Sequence, residues 1–178
     1  IGPARRSELV AVASRDRAPA EAYARERSIP RAIDGYQALL DDSSIDAVYI
    51  PLPNTDHVPW TLAAIAAGKH VLCEKPLALD PHDVDRIAAA AAAARVVVEE
   101  GFMYRHEPLT ARVVSLVNDG AIGTPRVVVS GFTFSLAADH NIRLNPALGG
   151  GSLWDVGCYP VTYAQLIAGN EPRMVSGT

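Results

Sequence analysis

Several things are scarce in this sequence. It has two cysteines in 178 residues, Cys73 and Cys158. That is too few for a disulfide framework, so a reducing cytoplasm is the expected setting. Basic charge is not in excess: 16 Lys+Arg stand against 20 Asp+Glu, a formal net charge of -4. A general nucleic-acid binder needs a clear basic surplus. Long apolar runs are missing too. The longest covers residues 87–94, well short of the roughly 18 residues of a membrane helix. The opening Ile1-Gly-Pro-Ala-Arg-Arg6 holds no apolar signal-peptide core. There is no Gly-x-Ser-x-Gly or other nucleophile–base pattern. His57, His70, His82, His106 and His140 have no metal-ligand spacing with one another or with cysteine. What remains is globular composition, 49% hydrophobic and 20% charged. The length suits one domain, or a domain plus part of another.

The first half alternates two periods. Apolar segments over 8–14, 45–50, 70–73 and 95–99 predict strands. Helices are predicted over 18–27, over 35–40, from the caps Asn54-Thr55-Asp56 to residue 67, and after Asp80. Pro59 and Pro81 suit first helical turns, and Gly68 the position just past a helix. Short apolar strands alternating with helices imply an α/β fold with a parallel sheet and crossover helices. Ligands of such sheets sit beyond the carboxyl ends of the strands, here just after Ser14, Ile50, Cys73 and Glu99. After Gly101 the pattern changes to a helix over 108–118, a turn at Gly123-Thr124-Pro125, an alternating strand over 126–136, a helix over 152–168 and a strand beginning at Arg173. No internal repeat or low-complexity linker is present.

The densest chemical signal is Glu74-Lys75-Pro76, at the end of the strand Val71-Leu72-Cys73. The proline breaks the strand and disfavours helix at Lys75, holding an ammonium at the mouth of the sheet, with Glu74 as its expected partner. Such a lysine can polarise a carbonyl or steady an alkoxide during hydride transfer; a surface turn with a local ion pair is the alternative. Asp155 and Tyr159 are four apart and share a helix face, while Gly149-Gly-Gly151 ahead of them lets a ligand come close to the positive helix end. Lys75 would lower the cost of ionising the phenol. Pro160 and Gly157 should bend this helix. A plain packing helix fits the spacing equally well. Cys73 and Cys158 read as packing residues. His106 suits either a pocket wall or the surface, and Asn141 with Arg143 either a polyol contact or a loop ion pair.

Four blocks, in order, carry a resemblance: Tyr49-Ile-Pro-Leu-Pro-Asn-Thr-Asp-His57, Gly68-Lys-His-Val-Leu-Cys-Glu-Lys-Pro-Leu-Ala78, Gly101-Phe-Met-Tyr-Arg105 and Gly149-Gly-Gly-Ser-Leu-Trp-Asp-Val-Gly-Cys-Tyr-Pro160. Together they strongly resemble the Gfo/Idh/MocA family of nicotinamide-dependent oxidoreductases, over nearly the whole chain. The Tyr-Pro ending of the last block is most similar to the branch of glucose–fructose oxidoreductase, dihydrodiol dehydrogenase and xylose dehydrogenase.

The resemblance implies a partial dinucleotide-binding domain of Rossmann type over 1–101. It also implies the start of an α+β substrate and oligomerisation domain with an open sheet over 102–178. It further implies roles: Lys75, Asp155 and Tyr159 as the catalytic set, Glu74 near the cofactor ribose and nicotinamide, a bond before Pro76 that is often cis, Leu52, Pro53, Asn54 and His57 along the cofactor, and Arg105 close to cofactor and substrate. Ser14 and Arg15 meet the adenosine ribose, where Ser-Arg suits the extra phosphate of NADP; Asp16 beside them leaves NAD possible. The implied reaction moves a hydride between NADP(H) and a sugar, polyol or cyclic diol, with no nucleic acid, membrane or metal involved and a homo-oligomer when full length. A non-catalytic dinucleotide-binding regulatory relative and a truncated inactive fragment are the alternatives. The family opens with a strand and a Gly-x-Gly-x-x-Gly turn that holds pyrophosphate. Neither is found here, and Ile1-Gly2-Pro3 is no substitute. The expectation is therefore a Rossmann sheet lacking its first strand, an internal piece of a longer enzyme, with weak cofactor binding and little turnover on its own.

Overall fold

The computed structural model describes residues 6–136 and 141–177. Among the described residues, five short strands form two parallel sheets. β1 (Ala11–Ser14) pairs with β2 (Arg31–Asp34), joined by helix α1 (Arg17–Arg27). The second sheet has the order β3 (Ala47–Ile50), β4 (His70–Cys73), β5 (Val98–Glu100). Helices α2 (Tyr36–Leu40), α3 (Asn54–Ala66) and α4 (Pro81–Ala94) make the remaining crossovers. The register aligns Ile50, Cys73 and Glu100 across the sheet, so the three carboxyl ends open side by side.

Burial in β3 and β4 alternates. Val48, Ile50, Val71 and Cys73 point into a core completed by Ile65, Ile87 and Ala91, whereas Tyr49 and Leu72 are 43% and 40% exposed. Though nearly all apolar in sequence, these strands are thus closed on one face and half open on the other. Helix ends follow local chemistry. Asp80 accepts the His82 N–H at 2.8 Å, with Pro81 in the first turn of α4. Gly68, at φ +74°, ends α3 in the left-handed conformation that glycine adopts at no steric cost.

The regular elements after Gly101 are all helical among the described residues. A 3-10 turn (Met103–His106) leads into α5 (Pro108–Asn118). Two 3-10 turns (Ile142–Leu144, Pro146–Leu148) precede a π-helical turn (Leu153–Gly157) that runs into α6 (Cys158–Ala168).

Several expectations need correction. β1 begins at Ala11 rather than at residue 8, and β5 runs Val98–Glu100 rather than 95–99. β2 was invisible because only Ala32 and Ile33 are apolar, between Arg31 and Asp34. α3 starts at Asn54, which frees the Asn54 side chain from capping and leaves Pro59 inside the helix. The predicted strand over 126–136 does not form: no neighbouring strand lies beside it among the described residues, and Val127 and Val129 are 77% and 93% exposed. Residues 173–177 are likewise not a strand. The bend expected at Gly157 and Pro160 takes the form of the π-helical turn, which absorbs Gly157 and runs directly into α6 with Pro160 in its first turn. His140 and the segment Ile1-Gly2-Pro3 lie outside the described residues.

Candidate functional site

β4 runs directly into Glu74-Lys75-Pro76. The Glu74 N–H donates to the Ile50 carbonyl at 3.0 Å, and the Gly101 N–H to the Cys73 carbonyl at 2.7 Å. The Lys75–Pro76 peptide bond is cis. Gly101 passes so close beneath this segment that a Cβ there would lie 3.2 Å from the Cys73 oxygen and 3.3 Å from Glu74 Cα. The following peptide group is gripped at both ends: the Leu77 N–H donates to Glu100 Oε1 at 2.7 Å, and the Pro76 carbonyl oxygen lies 2.7 Å from His57 Nδ1. His57 Nε2 lies 2.8 Å from the Leu52 carbonyl oxygen.

Lys75 does not pair with Glu74. Glu74 accepts instead from the Tyr49 hydroxyl at 2.6 Å. Burial first, then the bond to Glu74 and its charge, push the Tyr49 phenol above the usual range. The Lys75 amine donates to the Asp155 backbone carbonyl and lies 3.5 Å from Asp155 Oδ1, with the two side chains only 13% and 15% exposed. Arg143 Nε donates to the same carboxylate oxygen at 3.1 Å. The Arg143 backbone N–H is in turn held by Asn141 Oδ1 at 3.0 Å. Asn141 and Arg143 therefore realise the loop ion pair.

Tyr159 presents its ring, rather than its hydroxyl, to Lys75. The amine sits 5.3 Å from the ring centroid, within the cation–π range. The hydroxyl donates to Met103 Sδ at 3.6 Å. Phe102 and Phe132 pack edge-on to the ring, each at 5.5 Å between centroids. Burial, followed by the charge of Glu74, pushes the Tyr159 phenol up. The charge of Asp155 acts in the same direction. The phenol is thereby kept in its acid form. Beside it opens a cavity of about 230 Å³ lined by Tyr104, Ser130, Gly131, Phe132, Tyr159, Pro160 and Tyr163.

Gly149 and Gly150 are closely approached by the chain itself. The Gly150 and Gly151 N–H groups donate to the Asn145 and Arg143 carbonyls, and a Cβ on Gly150 would come within 2.7 Å of both oxygens. Asn54 Nδ2 donates to the Gly149 carbonyl at 2.8 Å, docking this loop on the start of α3. At Gly149 and Gly150 the close approach is made by the polypeptide, whereas a Cβ on Gly151 would meet nothing within 4 Å.

The remaining candidates fall as follows. Leu52 and Pro53 are partly buried in the loop after β3. Pro76 is buried, and His57 is fully buried with both ring nitrogens engaged, so its side chain faces carbonyls rather than a ligand. Ser14 ends β1 and accepts the Gly35 N–H at 2.8 Å. Arg15 beside it is exposed and makes no ion pair among the described residues, and Asp16 makes no cap bond to α1. That leaves a free guanidinium at a strand's carboxyl end, which fits a phosphate. Arg105 is exposed in the 3-10 turn. His106 lies 3.5 Å from Glu99 on the surface. The Cys73 thiol is pushed up to about 12 by burial, and the Cys158 thiol is also raised, again chiefly by burial; both are packing residues. Among the described residues no three His, Cys, Asp or Glu side chains could hold a metal, and no helix is long and apolar enough to cross a membrane.

Sequence reasoning missed Glu100, Tyr49 and Met103. Glu100 carried a signal: it is an acid at the end of an apolar strand, next to a recognisable block. Tyr49 and Met103 had none beyond membership of their blocks.

Comparison with known proteins places the chain among oxidoreductases. Residues 2–102 match the model of the oxidoreductase family with an NAD-binding Rossmann fold, and residues 110–178 match the GFO/IDH/MocA C-terminal domain. A D-xylose 1-dehydrogenase (NADP(+)) of Haloferax volcanii is 47% identical over 96% of this chain and 53% of its own length. A trans-1,2-dihydrobenzene-1,2-diol dehydrogenase of Danio rerio is 32% identical over 99% and 53%. Among solved structures, a 3-ketoreductase from Actinomadura kijaniata in complex with NADP and TDP-benzene superposes with a TM-score of 0.87 at 37% identity, covering 92% of this chain and 50% of that one. The chain spans about half the length of the curated relatives it matches.

Proposed function

The chain belongs to the Gfo/Idh/MocA oxidoreductase family with its NAD-binding Rossmann fold, and from that premise we propose that it provides the nucleotide-binding and proton-transfer parts of an NADP-dependent dehydrogenase or reductase acting on a sugar, polyol or cyclic diol. The observation that carries this reading is the convergence of Lys75, Asp155 and Tyr159, from the end of β4, the turn before α6 and the first turn of α6, on one partly buried spot beside an aromatic cavity. The similarity to the NADP-dependent xylose dehydrogenase and the NADP-bound 3-ketoreductase supports the cofactor and the substrate class.

Arg15 and Ser14 would hold the adenosine phosphate, and the loop at Leu52, Pro53 and Asn54 would lie along the cofactor with Glu74 and Arg105 nearby. When bound, the nicotinamide supplies or accepts the hydride. The residues present supply the rest. An ammonium has three N–H donors. Asp155 takes two of those of Lys75, through its carbonyl and, more weakly, its carboxylate, which leaves one for the reacting oxygen of the substrate. Asp155, itself fixed by Arg143, sets where that donor points. Tyr159, kept protonated by its surroundings, donates the proton in the reductive direction and recovers it in the oxidative one. Phe102, Phe132 and Tyr104 pack against its ring and fix its orientation.

The test is a panel of aldoses, polyols and cyclic diols with NADP(H) and NAD(H), applied to the native full chain and to Lys75→Ala. Turnover with NADP(H) that falls by orders of magnitude in Lys75→Ala, with cofactor affinity largely retained, supports the reading. Unchanged turnover in the variant removes Lys75 from the chemistry.

A further inference from the structure

His57 is the largest polar side chain that is wholly buried, at 0% exposure, and it lies between the two loops that form the site. Both ring nitrogens face oxygens that can only accept. Nδ1 is 2.7 Å from the Pro76 carbonyl and Nε2 is 2.8 Å from the Leu52 carbonyl. An imidazole with a single N–H satisfies one of them and turns a lone pair on the other at hydrogen-bond distance, an arrangement that is costly where water cannot enter. Two donors resolve it.

The Pro76 carbonyl and the Leu77 N–H are the two ends of one peptide group, the one that follows Lys75 and Pro76. Glu100 Oε1 accepts that N–H at 2.7 Å, so the peptide is held at its oxygen by His57 and at its nitrogen by Glu100. Burial is the largest influence on the Glu100 carboxyl and raises it above the usual carboxylate range, while the bond from the Leu77 N–H and the charge of Arg105 act the other way. We propose that His57 is a positioning residue: it carries a hydrogen on each ring nitrogen and, with Glu100, grips the Pro76–Leu77 peptide so as to fix the Lys75 amine, while its other nitrogen holds the Leu52 loop to the same frame.

The kinetic consequence rests on the reading of Lys75 and the Leu52 loop given above. The ring geometry does not. The two amide variants separate the functions. In His57→Asn the side-chain nitrogen overlays Nδ1 and keeps the Pro76 bond. In His57→Gln it overlays Nε2 and keeps the Leu52 bond.

Two experiments test this. In the native full chain labelled with 15N-histidine, NMR at neutral pH should show two ring N–H groups on His57, both slow to exchange. A single ring N–H overturns the assignment. In the native full chain, His57→Gln should lower kcat by about tenfold to 100-fold with the NADP(H) KM held, the cost expected when a reacting group is misplaced by about 1 Å. His57→Asn should raise the cofactor KM with kcat within about threefold of the parent. Parallel loss of kcat and KM in both variants, tracking their melting temperatures, means a merely structural histidine and overturns the proposal. Absence of NADP(H) turnover in the parent refutes the proposed function instead, and the NMR result then decides the matter of His57. That measurement needs no substitution, so a variant that fails to fold leaves the proposal open to refutation.

Discussion

Removing one oxygen atom separates the chemistry of Tyr159 from its packing. In Tyr159→Phe the ring keeps its place against Phe102 and Phe132 at 5.5 Å and under the Lys75 amine at 5.3 Å. The hydroxyl gives up only its bond to Met103 Sδ at 3.6 Å. A thioether is a weak acceptor, so the loss belongs at the low end of the net hydrogen-bond range, about 0.5 kcal/mol. For a chain of this size that is a melting shift of about 2 °C or less. Turnover should respond very differently. Loss of a positioned general acid costs roughly 10²–10⁴ in rate, or about 2.7–5.5 kcal/mol of barrier. The pH profile adds a sign. Burial and the charge of Glu74 raise the phenol above its ordinary value of 10.0. The acid form needed for reduction is present below the raised value, so the reductive rate should be lost at a higher pH than that at which an ordinary tyrosine ionises. Oxidation needs the ionised form and should rise toward the same limit. Steady-state kinetics in both directions, with a thermal melt of each protein, make the comparison. A variant within about threefold of the parent in kcat would refute the assigned role. So would one whose activity loss follows its melting temperature.

Three other outcomes follow from the structure. Thiol alkylation of the folded chain at neutral pH should be slow at both cysteines and slowest at Cys73, whose thiolate forms only near pH 12, with full labelling on unfolding; mass spectrometry reads it. Gly150→Ala places a Cβ within 2.7 Å of two backbone oxygens, an overpacking that costs about 1–3 kcal/mol and loosens Arg143 from Asp155; a denaturation midpoint and the loss of turnover register both. Arg15→Asp should move cofactor preference from NADP toward NAD by about tenfold or more, since a charge-assisted bond to phosphate is worth about 1.5–3 kcal/mol; the ratio of the two cofactor affinities gives the answer.

The parts of this fold legible in sequence were those in which burial imposes a pattern. β3, β4 and helices α1 to α5 follow from apolar runs, caps and glycine stops, as Asp80, Pro81 and Gly68 illustrate. β2 was not legible, because a strand carrying Arg31 and Asp34 at its ends and two half-buried residues between them has no period to detect. The strand over 126–136 was over-read for the opposite reason: alternation prepares a segment for a ladder, but a ladder also needs a neighbour. In the site, the identities of Lys75, Asp155 and Tyr159 were readable, whereas their wiring was not. That Glu74 would take the Tyr49 hydroxyl, and leave Lys75 to a carboxylate 80 positions along the chain, depends on where two loops meet.

β1 has β2 on one side, and β3 has β4 on one side, and the two do not pair with each other. Val10, Ala11 and Ile33 nonetheless pack against the core that includes Ile45 and Val48, so the two ladders flank an open seam in a single apolar layer. Each inner margin carries amide and carbonyl groups that no other strand among the described residues satisfies. Bare margins of this kind template further β-structure. At rising concentration, a solution of these 178 residues should therefore lose monomer to edge-on association, and an extended segment threaded into the seam should suppress that loss.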